Sequence, residues 1–117
     1  MKALIIDDEI DICYLLGGLL VNRKIEVDYV NSLADARLAL EKIKPGIVFL
    51  DNHLPDGKGI EFAGYIKKLN PETKVAMITA YDTPADRTMA LSNGIDFFVG
   101  KPFSRDIIFQ TVDEILN

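Results

Sequence analysis

Apolar positions along this chain follow two alternating rhythms. Short continuous runs at Lys2 to Ile6, Ile47 to Leu50, Lys74 to Thr79 and Phe97 to Val99 have the length and composition of strands covered on both faces. Between them lie stretches whose apolar residues recur every three or four positions, the spacing of one helix face. Glu9 to Arg23 carries Ile12, Leu15, Leu16, Leu19 and Leu20 in such a stripe, with Asp11, Asn22 and Arg23 outside it. Glu26 to Val30 instead alternates Val27 and Tyr29 with Glu26 and Asp28, which predicts a strand at a sheet edge.

Punctuation residues mark the remaining elements. Ser32 predicts a helix cap with Asp35 in the capping-box position, and Leu33, Ala36, Leu40 and Ile43 then point inward until Pro45-Gly46. A helix from about Gly59 to Leu69 buries Phe62, Ile66 and Leu69 and ends at Asn70-Pro71. Thr83-Pro84 opens the next, with Asp86 in its first turn, and Asn93-Gly94 closes it. Ser104 opens the last, with Ile107, Ile108, Val112, Ile115 and Leu116 inward. Strand and helix alternate about five times, which predicts an α/β fold: a mostly parallel sheet with helices on both faces, in a single domain over residues 1–117.

Composition narrows the function. A net charge of -5 disfavours electrostatic binding to nucleic acid or to an anionic membrane. A lone cysteine, Cys13, forms no intramolecular disulfide, suits a reducing cytoplasm and sits in a helix stripe where packing explains it. Met1-Lys2 leads straight into a strand without signal-peptide architecture, and no apolar stretch approaches the roughly 20 residues that span a bilayer.

The chemistry gathers where the strand runs stop. Asp7-Asp8 follows the first, Asp51 ends the third, Thr79 ends the fourth and Lys101 follows the fifth. In an open α/β sheet the carboxyl ends of the strands form the working edge, so these positions converge. Like charges about 4 Å apart repel by about 4 kcal/mol at an effective dielectric near 20, and a divalent cation is the usual remedy. One Asp of the doublet would suffice to cap the following helix; two favour a metal. Carboxylates, a hydroxyl and an amine in one pocket are the equipment of metal-assisted phosphoryl transfer, with Asp51 as nucleophile, Thr79 bonding a phosphoryl oxygen and Lys101 offsetting charge.

The order of these pieces resembles the response-regulator receiver domains of two-component signalling. The resemblance rests on Ile5-Ile6-Asp7-Asp8-Glu9, on Val48-Phe49-Leu50-Asp51 with Leu54-Pro55-Asp56-Gly57, on Met77-Ile78-Thr79-Ala80-Tyr81, and on Gly94 through Lys101-Pro102-Phe103. It implies a flavodoxin-like three-layer sandwich, with a five-stranded parallel sheet of order 2-1-3-4-5 and five helices. It further implies that Asp51 takes a phosphoryl group from the phosphohistidine of a sensor kinase or phosphotransfer protein, with Mg²⁺ held by Asp8, Asp51 and the main-chain carbonyl of His53, and by Asp7 largely through water. Thr79 and Phe98 would then be the switch pair, and the Lys101-Pro102 bond would be cis. His53, two residues past Asp51, reads equally as a group tuning water access to the phosphoryl group and as an exposed loop histidine; Tyr81, two past Thr79, is bulky enough to cover the site. An effector domain or target protein would read the output.

Other readings stay open on the residues alone. An Asp-nucleophile phosphatase generally needs a second acid two positions on, where this chain has His53. A nucleotide- or flavin-binding module needs a Gly-rich loop after the first strand, where Asp7-Asp8-Glu9 stands instead. A receiver-like module working by contact without phosphorylation would not need the acidic pair.

Overall fold

The computed structural model describes residues 1–80 and 83–117. Five parallel strands, β1 (Lys2–Ile6), β2 (Glu26–Val30), β3 (Ile47–Asp51), β6 (Lys74–Thr79) and β7 (Phe97–Gly100), form one sheet in the order β2-β1-β3-β6-β7. The helices are α1 (Ile10–Asn22), α2 (Leu33–Lys42), α3 (Gly59–Leu69), α4 (Pro84–Ser92) and α5 (Arg105–Leu116). The expected flavodoxin-like sandwich is therefore what this chain forms, with 2-1-3-4-5 as the order of the sheet strands. An addition is a two-stranded antiparallel hairpin, β4 (His53–Leu54) and β5 (Gly57–Lys58), between β3 and α3.

Alternation along each strand divides the core in two. Leu4, Ile6, Val48, Leu50, Val75 and Met77 face one layer, into which α2, α3 and α4 send Ala36, Leu40, Phe62, Ile66 and Ala90. Ala3, Ile5, Ile47, Phe49, Ala76, Ile78 and Val99 face the other, against Cys13, Leu16 and Leu20 of α1 and Ile108 and Val112 of α5. Both faces of β3 are covered, which is why its sequence is apolar without a break.

The caps follow the punctuation. Ser32, Thr83 and Ser104 each accept a hydrogen bond from the backbone amide three residues on, those of Asp35, Asp86 and Ile107. Gly94 closes α4 at φ +89, a conformation that side-chain-bearing residues adopt at a cost. The helix stripes are narrower than the apolar pattern suggests. Leu15 is 55% exposed, because Cys13, Leu16 and Leu20 already fill the line facing the sheet and Leu15 lies about 100° round from Leu16. Leu69, Ile107 and Leu116 are likewise exposed; the first and last end their helices, and Ile107 neighbours the inward Ile108.

Candidate functional site

Side-chain alternation delivers three charged groups to one place. Continuing β1, β3 and β7 past their apolar residues turns Asp7, Asp51 and Lys101 toward the layer that α1 and α5 cover. β1 and β3 are adjacent, so Asp7 and Asp51 are close neighbours. Lys101 comes from beyond β6 and reaches across its end on a flexible stem. Oxygens of Asp7, Asp8 and Asp51 all lie within 4.8 Å of one another. Lys101 Nζ stands 3.0 Å from Asp7 Oδ2, 3.6 Å from Asp51 Oδ1 and 3.4 Å from Glu9 Oε1. A cleft of about 230 Å³ opens above them, lined by Asp8, Glu9, Asp51, His53, Ala80 and Lys101.

Backbone contacts fix this edge. Gly59 begins α3 so close to the end of β3 that a Cβ there would collide with the Asp51 carbonyl. The Gly59 amide donates to the Asn52 carbonyl at 2.9 Å, and the Asn52 side chain accepts from the Ile60 amide at 3.1 Å. The Lys101 amide donates to the Thr79 carbonyl at 2.9 Å, and the following Lys101-Pro102 bond is cis. Asp7 Oδ1 accepts from the Glu9 amide at 2.9 Å, so one carboxylate of the doublet does organise the entry to α1.

The electrostatics favour a cation. Asp7 is 1% exposed and Asp51 5%, and burial is the largest influence on both. It pushes the Asp51 carboxyl up to about 6, helped by the charge of Asp7 and opposed by that of Lys101 and a hydrogen bond from the His53 amide. Asp7 is raised too, against the Glu9 amide and Lys101. For Lys101, burial works against the ammonium, but the side chain and charge of Asp7, with Asp51 and Glu9, outweigh it and raise the pKa.

Asp7 Oδ2 is the telling atom. It is buried and stands 3.0 Å from the Lys101 ammonium, a single cation that Asp51 and Glu9 share. One ammonium among these carboxylates leaves the cluster net anionic, which is costly at a largely buried site without a further cation. Three carboxylates in that position suit Mg²⁺, which takes a few carboxylates and keeps several waters. The residues present fit the ion.

Other sequence candidates sit near this edge in different roles. Thr79 ends β6, buried, and alternation turns it toward the α4 layer. Phe98, paired with Met77, packs against the same layer, half-buried, with the Arg87 guanidinium 5.4 Å from its ring centroid. His53 is exposed at the lip of the cleft. Tyr81 lies outside the described residues. Sequence reasoning missed Asn31, whose side-chain nitrogen donates to the Asp7 carbonyl at 2.8 Å; an Asn directly after the edge strand was the only signal.

Comparison with known proteins agrees with this geometry. The response regulator receiver domain family matches residues 3–113. The chain is 39% identical over 101 residues to the response regulator protein PilR of Pseudomonas aeruginosa, covering 86% of this chain and 23% of that protein. It is 31% identical over 120 residues to the transcriptional regulatory protein BasR of Escherichia coli, covering 100% of this chain and 53% of BasR. The chain thus spans about half or less of the length of these curated relatives. Among solved structures, a two-component response regulator from Clostridium difficile superposes with a TM-score of 0.95 at 28% identity, covering 99% of this chain and 95% of that one. The beryllofluoride-activated receiver domain dimer of NtrC4 gives 0.92 at 27% identity, covering 97% and 94%.

Proposed function

This chain belongs to the response regulator receiver domains, and from that premise we propose that it is a switch phosphorylated on Asp51 by the phosphohistidine of a sensor kinase or phosphotransfer protein. One observation carries the reading. The Asp51 carboxylate ends β3 at an open cleft, with two further carboxylates and one ammonium around it.

An ionised Asp51 oxygen attacks phosphorus; its P–O bond forms as the P–N bond to histidine breaks, and the imidazole departs with that electron pair. Lys101 keeps Asp51 anionic beforehand and attracts the phosphoryl oxygens afterwards. The Thr79 hydroxyl donates to one of those oxygens. Asp7, Asp8, Asp51 and the His53 carbonyl would hold Mg²⁺, which when bound neutralises charge on the transferred group. The domain promotes only its own phosphorylation and dephosphorylation, and it acts in the cytoplasm, where kinases meet ATP.

The phosphoryl group carries up to about two negative charges in place of the single charge of the Asp51 carboxylate, and brings three strong acceptor oxygens. Drawing Thr79 and Lys101 toward Asp51 leaves room beneath α4 for Phe98, and the face of α4, β7 and α5 changes shape for an effector. The net charge of -5 argues against direct contact with nucleic acid or membrane; among the described residues no helix is long and apolar enough to cross a membrane.

The reading is tested by incubating the protein with acetyl phosphate and Mg²⁺ and recording its intact mass. A single adduct that needs Mg²⁺ and vanishes in Asp51→Asn is expected. Rapid turnover of generic phosphate esters would favour a phosphatase instead, and an adduct retained in Asp51→Asn would rule out Asp51.

A further inference from the structure

The ladder between β1 and β2 ends at the pair Ile6–Val30, with one more main-chain bond from the Asp7 amide to the Val30 carbonyl at 3.1 Å. A parallel ladder would next donate to the Asp7 carbonyl from the chain beyond Val30, but Ser32 is already the cap of α2. The Asn31 side chain takes over that bond: its Nδ2 donates to the Asp7 carbonyl at 2.8 Å. The same nitrogen lies 3.7 Å from Cys13 Sγ, and the thiol donates to the same carbonyl at 3.4 Å. The amide orientation follows from chemistry, since a carboxamide oxygen facing a carbonyl oxygen would repel it.

Asp7 is thereby held from four sides. Val30 takes its amide, Asn31 and Cys13 bond its carbonyl, the Glu9 amide bonds Oδ1, and Lys101 stands beside Oδ2. Oδ2 faces the Lys101 ammonium at 3.0 Å, which Asp51 and Glu9 share. We infer that Asn31 is a positioning residue for the acidic site: it fixes the Asp7 backbone so that Oδ2 stays directed into the cluster, although Asn31 itself offers the cation no ligand. This deepens the proposed function and rests on it. The thiol cannot replace the carboxamide, because S–H is a weak donor and its contact is the longer one. Asp at position 31 would present an acceptor to an acceptor and add charge to an already anionic site.

The test is an NMR titration of Mg²⁺ into wild type, Asn31→Ala, Asn31→Asp and Thr73→Ala. Thr73→Ala is the control for stability, since it removes a buried 2.7 Å bond from Thr73 Oγ1 to the Pro45 carbonyl, away from the acidic cluster. Loss of an outer partner of this kind typically weakens metal affinity by about 10–100-fold. Asn31→Ala and Asn31→Asp are expected near the lower end of that range, with Thr73→Ala binding like wild type. In wild type the Asn31 carboxamide resonances are expected to move with the same midpoint as the amides of Asp8 and Asp51, a readout that stands even where a variant folds poorly. Unchanged affinity in Asn31→Ala, or a silent Asn31 carboxamide in wild type that binds Mg²⁺, overturns the inference while leaving the proposed function intact. Wild type that binds no Mg²⁺ overturns both.

Discussion

Asp56 closes the N-terminus of α2, which begins 23 residues before it: its Oδ1 accepts from the Leu33 amide at 2.8 Å. Its Oδ2 accepts from the next amide, Ala34, at 2.9 Å, and Ser32 takes that of Asp35. The first three amides of α2, which no helix can satisfy internally, are thus all bonded. The bond also ties the β4–β5 hairpin, and with it His53, to the rest of the fold.

Those two amides hold the Asp56 carboxyl below its usual range. A depressed pKa in the folded state stabilises above the unfolded value and is lost as pH falls through the folded one. Asp56→Ala is therefore expected to lower the urea midpoint at pH 7. The gap from wild type should narrow as the pH drops below about 4, the ordinary carboxylate range. Denaturation curves at several pH values check this; a gap constant down to strong acid would refute the ionised cap.

Asp51 works in the opposite sense. Its carboxyl titrates at about 6 when folded, so between about pH 4 and 6 the folded chain holds the extra proton and stability falls as pH rises. Asp51→Asn removes that burden and is expected to stabilise the metal-free protein at pH 7 by up to about 3 kcal/mol, two pKa units' worth. The gain should disappear below about pH 4. Metal-free melts of both proteins across pH test it, and a less stable Asp51→Asn at pH 7 would be the contrary result.

Asp8 is expected to separate metal binding from folding. It is exposed, and its oxygen completes the three-carboxylate group. Asp8→Asn should leave the fold intact, stabilise the metal-free protein by easing repulsion, and weaken Mg²⁺ binding sharply. Amide shifts during a Mg²⁺ titration measure this, and equal affinity in both proteins would remove Asp8 from the ligand set.

Arg87 is expected to bias the pose of Phe98. A partly exposed cation over an aromatic face contributes about 0.5–1 kcal/mol, which corresponds to a two- to fivefold change in population. Arg87→Ala should shift the Phe98 ring resonances toward those that wild type reaches with fluoroberyllate and Mg²⁺. Ring shifts untouched by the substitution would show that packing alone sets the pose.

The sheet and the convergence of Asp7, Asp51 and Lys101 were legible because strand periodicity is local and each residue follows an apolar run. The links that hold those groups in place were not. Asp56 meets Leu33 across 23 residues, and Asn31 meets Asp7 across 24, with no periodic signal in either segment. Leu15 misled for a different reason. A stripe of leucines tells which side of a helix is apolar, but the width of the groove it fills depends on the facing sheet, here satisfied by Leu16 and Leu20.

The central claim is that Asp51 accepts the phosphoryl group. Borohydride reduces an acyl phosphate to the alcohol, converting a phosphorylated Asp into homoserine, so the modified position can be read from peptide masses. After acetyl phosphate and Mg²⁺, homoserine is expected at position 51 and nowhere else, and it should be absent without Mg²⁺. An intact-mass adduct with aspartate unchanged at 51, or with the label on His53 or another carboxylate, would contradict the account.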